Sequence, residues 1–149
     1  MKIFLDTSFI VSSIIKTDSN HEKAKKLIIN EDLLNNECYI SNLIINEIVT
    51  VIGNKLGLTA AIEAYELVND NFNILNEYEI NNFNDKVLDV YRLTNTKLSF
   101  TDSSIIILMQ EYGIENLVSF DKEFKRIKNI NWIYWDFKIF YNFFKKNKK

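Results

Sequence analysis

The stretch Leu98 to Phe124, LSFTDSSIIILMQEYGIENLVSFDKEF, decides the fold. Thr101, Asp102, Ser103 and Ser104 include three residue types that cap helix N-termini, so a helix is expected to begin there. Ile105 to Met109 are apolar on every face, which suits a buried helix. Tyr112-Gly113 closes it, because glycine readily takes the left-handed conformation that ends helices. Leu117-Val118 then reads as a short buried strand, left through Ser119-Phe120-Asp121. So short a link between helix and strand returns the chain to the end where the helix began. Asp102 and Asp121 therefore bracket one αβ unit, and both carboxylates can reach one edge of a sheet.

The chain before this stretch alternates in the same way. Lys2 to Leu5 is an apolar strand running into Asp6-Thr7-Ser8, three capping types for a helix carrying Ile10, Val11, Ile14 and Ile15. A second helix is expected from about His21 to Asn30, and a strand at Cys38-Tyr39-Ile40. Ser41 caps the next helix, about Asn42 to Asn54, whose polar residues Asn46, Glu47, Thr50 and Asn54 fall in one stripe. Gly53 and Gly57 mark its end, Thr59 caps a helix to about Asn69, and Phe72 to Leu75 is a third strand. Ile80, Phe83, Val87, Val90, Tyr91 and Thr94 predict a long helix with one inner face. After Phe124, Trp132 to Trp135 is a last strand. Asp136 caps a terminal helix with a stripe of Phe137, Phe140, Tyr141 and Phe144. Strands alternating with helices predict an α/β fold, a mainly parallel sheet with helices on both faces. Without a repeat or linker, residues 1–149 are expected to form one domain, with an aromatic helix and basic tail over 136–149.

Composition removes several function classes. The chain has 149 residues and is 47% hydrophobic, enough for the core of one α/β domain. The longest apolar run is five residues, too short to cross a membrane. An acid at position 6 leaves no room for a signal-peptide core, so a cytoplasmic protein is expected. Cys38, the only cysteine, makes neither an internal disulfide nor a cysteine zinc site. His21, the only histidine, lies in a polar loop, which disfavours a Ser-His-Asp triad or a histidine metal site. Three glycines make no Gly-rich phosphate cradle. Net charge is −2, yet residues 122–149 hold nine Lys/Arg against two acids. That asymmetry fits an acidic site beside a polyanion-facing edge, and equally a solvated basic tail.

What remains is acid: Asp6 and Asp121 after strands, Glu47 on an apolar helix, Asp102 at a helix start. Each has a bland alternative. Asp6 and Asp102 are good N-caps, Glu47 could face solvent, and Asp121 could be a turn residue. Together they point elsewhere. Open parallel sheets bind ligands beyond the C-terminal strand ends, where strand order reverses. If the strands before Asp6 and Asp121 are neighbours, both acids face that crevice. Two such charges 4 Å apart repel by about 4 kcal/mol at an effective dielectric near 20. Clustered acids therefore raise one another's pKa or hold a cation. Oxygen ligands select Mg²⁺ or Mn²⁺, ions suited to phosphodiester hydrolysis.

Four segments resemble the PIN-domain nucleases, most of all the VapC-type ribonuclease toxins. They are Phe4-Leu5-Asp6-Thr7-Ser8, Glu47 after Ser41, Leu98-Ser99-Phe100-Thr101-Asp102 before a buried helix, and Val118-Ser119-Phe120-Asp121-Lys122-Glu123-Phe124. The match in order and spacing spans about residues 1–135. The resemblance implies a three-layer α/β/α fold with five strands in the order 3-2-1-4-5. It implies an Mg²⁺- or Mn²⁺-dependent endoribonuclease, usually a homodimer and often inhibited by an antitoxin. Carried over by position, Asp6, Glu47, Asp102 and Asp121 match the catalytic, metal-holding quartet. Thr7 and Ser8 match the polar pair beside the first acid, and Ser119 the hydroxyl two residues before the last. The aromatic stripe after Trp135 extends beyond where many small members end. A PIN domain acting in RNA processing without an antitoxin is the alternative.

The mechanism expected from these parts is hydrolysis by an activated water attacking phosphorus in line. Lys122, Lys125, Arg126 and Lys128 are candidates for steering the RNA backbone, or else plain surface cations. Tyr39, Trp132 and Trp135 read as core or interface rather than base-stacking platforms. Two other enzyme-like α/β classes fit poorly. A phospho-receiver needs an acidic pair after strand one and an aspartate ending strand three, where Asp6 stands alone and Asn76 follows. A haloacid-dehalogenase-like phosphatase needs a second aspartate where Ser8 stands. A binding-only domain with an idle site is disfavoured by the presence of all four acids.

Overall fold

The computed structural model describes residues 1–134. The expected terminal helix, with Asp136, Phe137, Phe140, Tyr141 and Phe144, lies outside the described residues, as does Trp135. Five strands form one sheet: β1 (Lys2–Leu5), β2 (Glu37–Ser41), β3 (Asn73–Leu75), β4 (Asn116–Val118) and β5 (Asn131–Ile133). Their order is β3-β2-β1-β4-β5, and all four pairings are parallel. Ile3, Phe4, Ile40, Leu117 and Val118 are wholly buried, as expected of strands covered on both faces.

Among the described residues six α-helices supply the cover: α1 (Thr7–Ile14), α2 (His21–Asn30), α3 (Asn42–Leu56), α4 (Leu58–Asn71), α5 (Phe83–Leu93) and α6 (Phe100–Tyr112). α1 packs on α2 and α3, α3 on α4, and α5 on α6. Right-handed crossovers put α1 to α4 on one face of the sheet and α5 and α6 on the other. This is the three-layer α/β/α arrangement. The order reverses at β1, whose neighbours β2 and β4 leave in opposite directions along the sheet. The crevice beyond the C-terminal ends of β1 and β4 is the switch point where such folds bind ligands.

Several boundaries differ from expectation for local reasons. α3 runs on through Gly53, which faces Ala61 of α4; an added Cβ would sit 3.4 Å from the Ala61 Cβ, within van der Waals contact. The break comes at Gly57, with φ 91 and ψ 179, a conformation costly for any residue with a Cβ. α4 starts directly after it, so Thr59 lies inside the helix rather than at its cap. The long helix expected from Ile80 to Thr94 is shorter. A 3-10 turn at Glu77–Glu79 precedes it, and left-handed Asn82 (φ 54) separates the two. α6 is capped by Ser99, one turn before the expected start. Gly113 closes α6 at φ 63, as its sequence context predicts. His21 opens α2 at the start expected for that helix and so does not lie in a loop; its Nδ1 is 2.8 Å from the Ser12 carbonyl.

Candidate active site

β1 delivers Asp6 to the crevice. The Asp6 amide donates to the Val118 carbonyl at 3.0 Å, which extends the β1–β4 pairing by one residue. Asp6 has the extended backbone of an N-cap, yet its side chain makes no capping bond. Its Oδ2 instead accepts the Ser8 hydroxyl at 2.6 Å and the Ser119 hydroxyl at 2.7 Å. Those serines also accept from the chain leaving β4: the Phe120 amide reaches Ser8 Oγ at 3.1 Å, and the Asp121 amide reaches Ser119 Oγ at 3.0 Å. Two hydroxyls thus pass hydrogen bonds from the β4 exit to one carboxylate. Ser8 and Ser119 lie against Asp6, whereas the Thr7 hydroxyl turns to Glu47.

Asp6 is only 4% exposed. Its pKa is raised from 3.8 to about 6. Burial is the main cause, since it removes water from the charged form. The Ser8 and Ser119 hydrogen bonds oppose the rise, the charge of Asp102 adds to it, and the Thr7 amide opposes it. Repulsion among the acids, the cause expected from the sequence, is therefore secondary to desolvation.

The other three acids are half-buried. Asp102 is the third residue of α6 in a reciprocal capping box: its Oδ2 accepts the Ser99 amide at 3.0 Å, and Ser99 Oγ accepts the Asp102 amide at 2.9 Å. Its charge still reaches Asp6. Glu47 is drawn to the same end of the sheet by Thr7, whose hydroxyl donates to Oε2 at 2.7 Å. Asp121 Oδ1 accepts the Glu123 amide at 2.9 Å and caps the 3-10 turn Lys122–Arg126. The turn-residue role considered for Asp121 is therefore real, alongside its place on the rim.

Asp6 and Asp102 are brought together electrostatically, while Glu47 and Asp121 are tied to Thr7 and to the Ser119 loop. Among the described residues, no three acids, histidines or cysteines converge closely enough to hold one ion. The chemistry of the donor set nonetheless fits a hard divalent cation. Every ligand would be oxygen. Glu47 Oε1, Asp102 Oδ1 and Asp121 Oδ2 take no hydrogen bond among the described residues. Asp6 is a buried acid whose ionised form calls for a counter-charge.

Of the candidate RNA contacts, Lys122, Lys125, Arg126 and Lys128 are all exposed. Arg126 lies 3.6 Å from Glu123 Oε2, an ion pair too long for a hydrogen bond. Tyr39 and Trp132 are half-buried, as expected. Trp132 has a role the sequence did not suggest. Its Nε1 donates to the Ser119 carbonyl at 3.0 Å, and its ring stacks on Tyr134 with centroids 3.9 Å apart. It thereby braces the residue that holds Asp6. Ser99 was also missed, although a serine three residues before an acid is a capping-box signature.

The PIN domain profile matches residues 3–130 of the chain. Among solved structures, the chain is similar to VapC20 of Mycobacterium tuberculosis, described as a sarcin-ricin loop cleaving toxin. The TM-score is 0.71 and the identity 24%, covering 83% of this chain and 92% of that one. It is also similar to VapBC2 of Rickettsia felis, solved on a DNA fragment from its promoter, with a TM-score of 0.66, 18% identity, and 91% and 100% of the two chains covered. A toxin-antitoxin complex from Klebsiella pneumoniae gives a TM-score of 0.62 at 18% identity, covering 86% of this chain and 94% of that one. At such identities the likeness establishes the fold. Among curated proteins, none matches the chain.

Proposed function

The chain belongs to the PIN-domain family, and from that premise we propose that it is a metal-dependent endoribonuclease, the toxin of a toxin-antitoxin pair. The observation that carries the reading is Asp6. A carboxylate is buried at the sheet's switch point, fixed by two hydroxyls, and set near a second acid. Burying an acid without a cation partner destabilises a fold, so its presence there favours a site that binds one. Asp6, Glu47, Asp102 and Asp121 would hold Mg²⁺ or Mn²⁺. Bound there, the ion would supply charge neutralisation at the phosphate and an activated water.

The chain's own residues do the rest. Ser8 and Ser119 fix Asp6 through Oδ2, and no side chain donates to Oδ1 among the described residues. Thr7 holds Glu47 toward the same end of the sheet. The capping box fixes the backbone that carries Asp102. The exposed Lys122, Lys125, Arg126 and Lys128 lie just beyond Asp121 and would attract the RNA backbone toward the acids. Antitoxin binding is supported by the toxin-antitoxin complexes among the similar structures. Homodimerisation is proposed from the family resemblance alone, since Phe137, Phe140, Tyr141 and Phe144 lie outside the described residues.

The test is incubation of the purified chain with mixed RNAs in Mg²⁺, Mn²⁺ or EDTA, beside Asp6→Asn. Cleavage should require the metal and leave 5′-phosphate ends, and Asp6→Asn should abolish it while circular dichroism reports an intact fold. Cleavage by Asp6→Asn at the wild-type rate means that the site is elsewhere.

A further inference from the structure

A cleft of about 570 Å³ lies at the C-terminal edge of β2 and β3, bounded by the first turns of α3 and α5 and by the Glu77–Glu79 turn. It opens at the same C-terminal edge of the parallel sheet as Asp6, and Asn46 on its wall belongs to α3, the helix that carries Glu47. Three of its side chains, Asn46, Asn82 and Asn84, are exposed amides with no hydrogen-bond partner among the described residues. Tyr78 also lines it and is 94% exposed. An aromatic ring so placed contributes nothing to the core. Phe83 supplies a buried apolar surface.

The lining selects a kind of ligand by exclusion. It contains no lysine, arginine or histidine, so nothing there would hold a phosphate. Glu77 is buried with both oxygens engaged, Oε1 by the Leu43 amide at 2.9 Å and Oε2 by Asn42 Nδ2 at 3.0 Å. That leaves Asp85 as the one unengaged carboxylate in the lining, too little for a cation site. What fits is a flat, neutral group whose edge carries both donors and acceptors. A side-chain amide offers one of each, the pattern that pairs with a nucleobase edge. An exposed aromatic ring offers the stacking face by which unpaired bases are held.

We infer that this cleft is a nucleobase subsite: it takes one unpaired base of a single-stranded RNA that runs along the C-terminal edge of the sheet, stacked on Tyr78 and read by Asn46, Asn82 and Asn84. The inference rests on the ribonuclease reading above. It gives the proposed enzyme a source of sequence preference that lies outside the acids.

The test is fluorescence-anisotropy binding of ten-nucleotide RNAs that differ only in their three central bases. The full chain carries Asp6→Asn, in Mg²⁺, so that binding is read without cleavage. This parent should prefer one base by about tenfold, the discrimination expected of a good amide–base pair. Adding Asn46→Ala and Asn84→Ala should reduce the preference to less than about twofold. Both side chains are exposed and unbonded, so the fold should survive, which a melting curve checks. Tyr78→Ala should weaken every RNA by about tenfold and keep their order. Equal affinity for all sequences, a preference that survives the double substitution, or no RNA binding overturns the subsite. Cleavage by the chain with Asp6 intact is scored separately. Cleavage without base-selective binding removes the subsite alone, whereas base-selective binding without cleavage supports the subsite and removes the nuclease reading.

Discussion

Replacing Asp6 by asparagine should stabilise the metal-free protein at neutral pH, and the gain should shrink as pH falls. Burial raises the pKa of Asp6 from 3.8 to about 6 in the folded chain. Between those values the folded protein binds more protons at this site than the unfolded chain does, so stability falls as pH rises. At pH 7 both states are almost fully ionised, and ionised Asp6 costs the fold about 3 kcal/mol at about 1.4 kcal/mol per pKa unit. At pH 5 the folded carboxyl is mostly protonated while the unfolded one is still charged, and the cost drops to about 1.6 kcal/mol. Asparagine keeps the shape and an oxygen for the Ser8 and Ser119 hydroxyls, but has no charge to desolvate. The difference in unfolding free energy between Asp6→Asn and wild type should therefore narrow by about 1.3 kcal/mol from pH 7 to pH 5. Urea denaturation of both proteins in EDTA at the two pH values measures it. Using the difference cancels every other titrating group the proteins share. A difference that stays flat across that range would refute the argument, because Asp6 would then have an ordinary pKa and would not be desolvated.

Ser119→Ala removes the donor to Asp6 Oδ2 and leaves the Asp121 amide without its acceptor. It should cost about 1–3 kcal/mol, with a larger loss at pH 7 than at pH 5, because the missing bond favours the charged form of Asp6; equal losses at both pH values would deny that coupling. Asp121→Ala should lower stability by about 1 kcal/mol through loss of the cap on the Lys122–Arg126 turn, whereas Asp121→Asn should keep the cap. Loss of RNA cleavage in Asp121→Asn then marks Asp121 as a metal ligand, and unchanged cleavage leaves it a turn residue.

Much of the fold was legible because it rests on burial patterns that local sequence carries. The continuous apolar runs at Ile3 to Leu5 and Ile105 to Met109 announced a strand and a helix covered on all sides. Gly113 announced where that helix stops. What the periodicity misjudged was set by single backbone conformations. Ile80 has the spacing of the α5 inner face, but Asn82 at φ 54 breaks the helix between them. Hydrophobic spacing does not encode such a break, because asparagine is tolerated in both helical and left-handed conformations. At the α3–α4 junction Gly53 and Gly57 look alike in sequence. Only the backbone tells them apart: Gly53 stays helical against Ala61, while Gly57 takes φ 91 and ends α3.

The site was legible in identity more than in geometry. Hydroxyl and acidic residues at helix starts are ordinary caps: Asp121 caps its 3-10 turn, and Asp102, not itself the N-cap of α6, is the capping-box partner of Ser99. Asp6 is the exception. It occupies the N-cap position of α1 with the right backbone, but makes no capping hydrogen bond; the one helix amide that reaches its carboxylate is that of Thr7, the next residue. A capping aspartate would lie near water and accept a helix amide, both of which favour its charged form. Asp6 is instead buried and held by Ser8 and by Ser119, which lies 113 residues away in sequence. No local signal could have revealed that partner, because it exists only where parallel β1 and β4 lie side by side. Three structural features converge on one carboxylate oxygen: the register of β1 against β4, the Ser119 hydroxyl, and the Trp132 ring nitrogen that braces the Ser119 carbonyl. Folding stability alone does not explain the arrangement, since the ionised acid it holds weakens the fold at neutral pH. A bound cation would reverse the sign of that contribution, and Asp6 is where such a reversal would be largest.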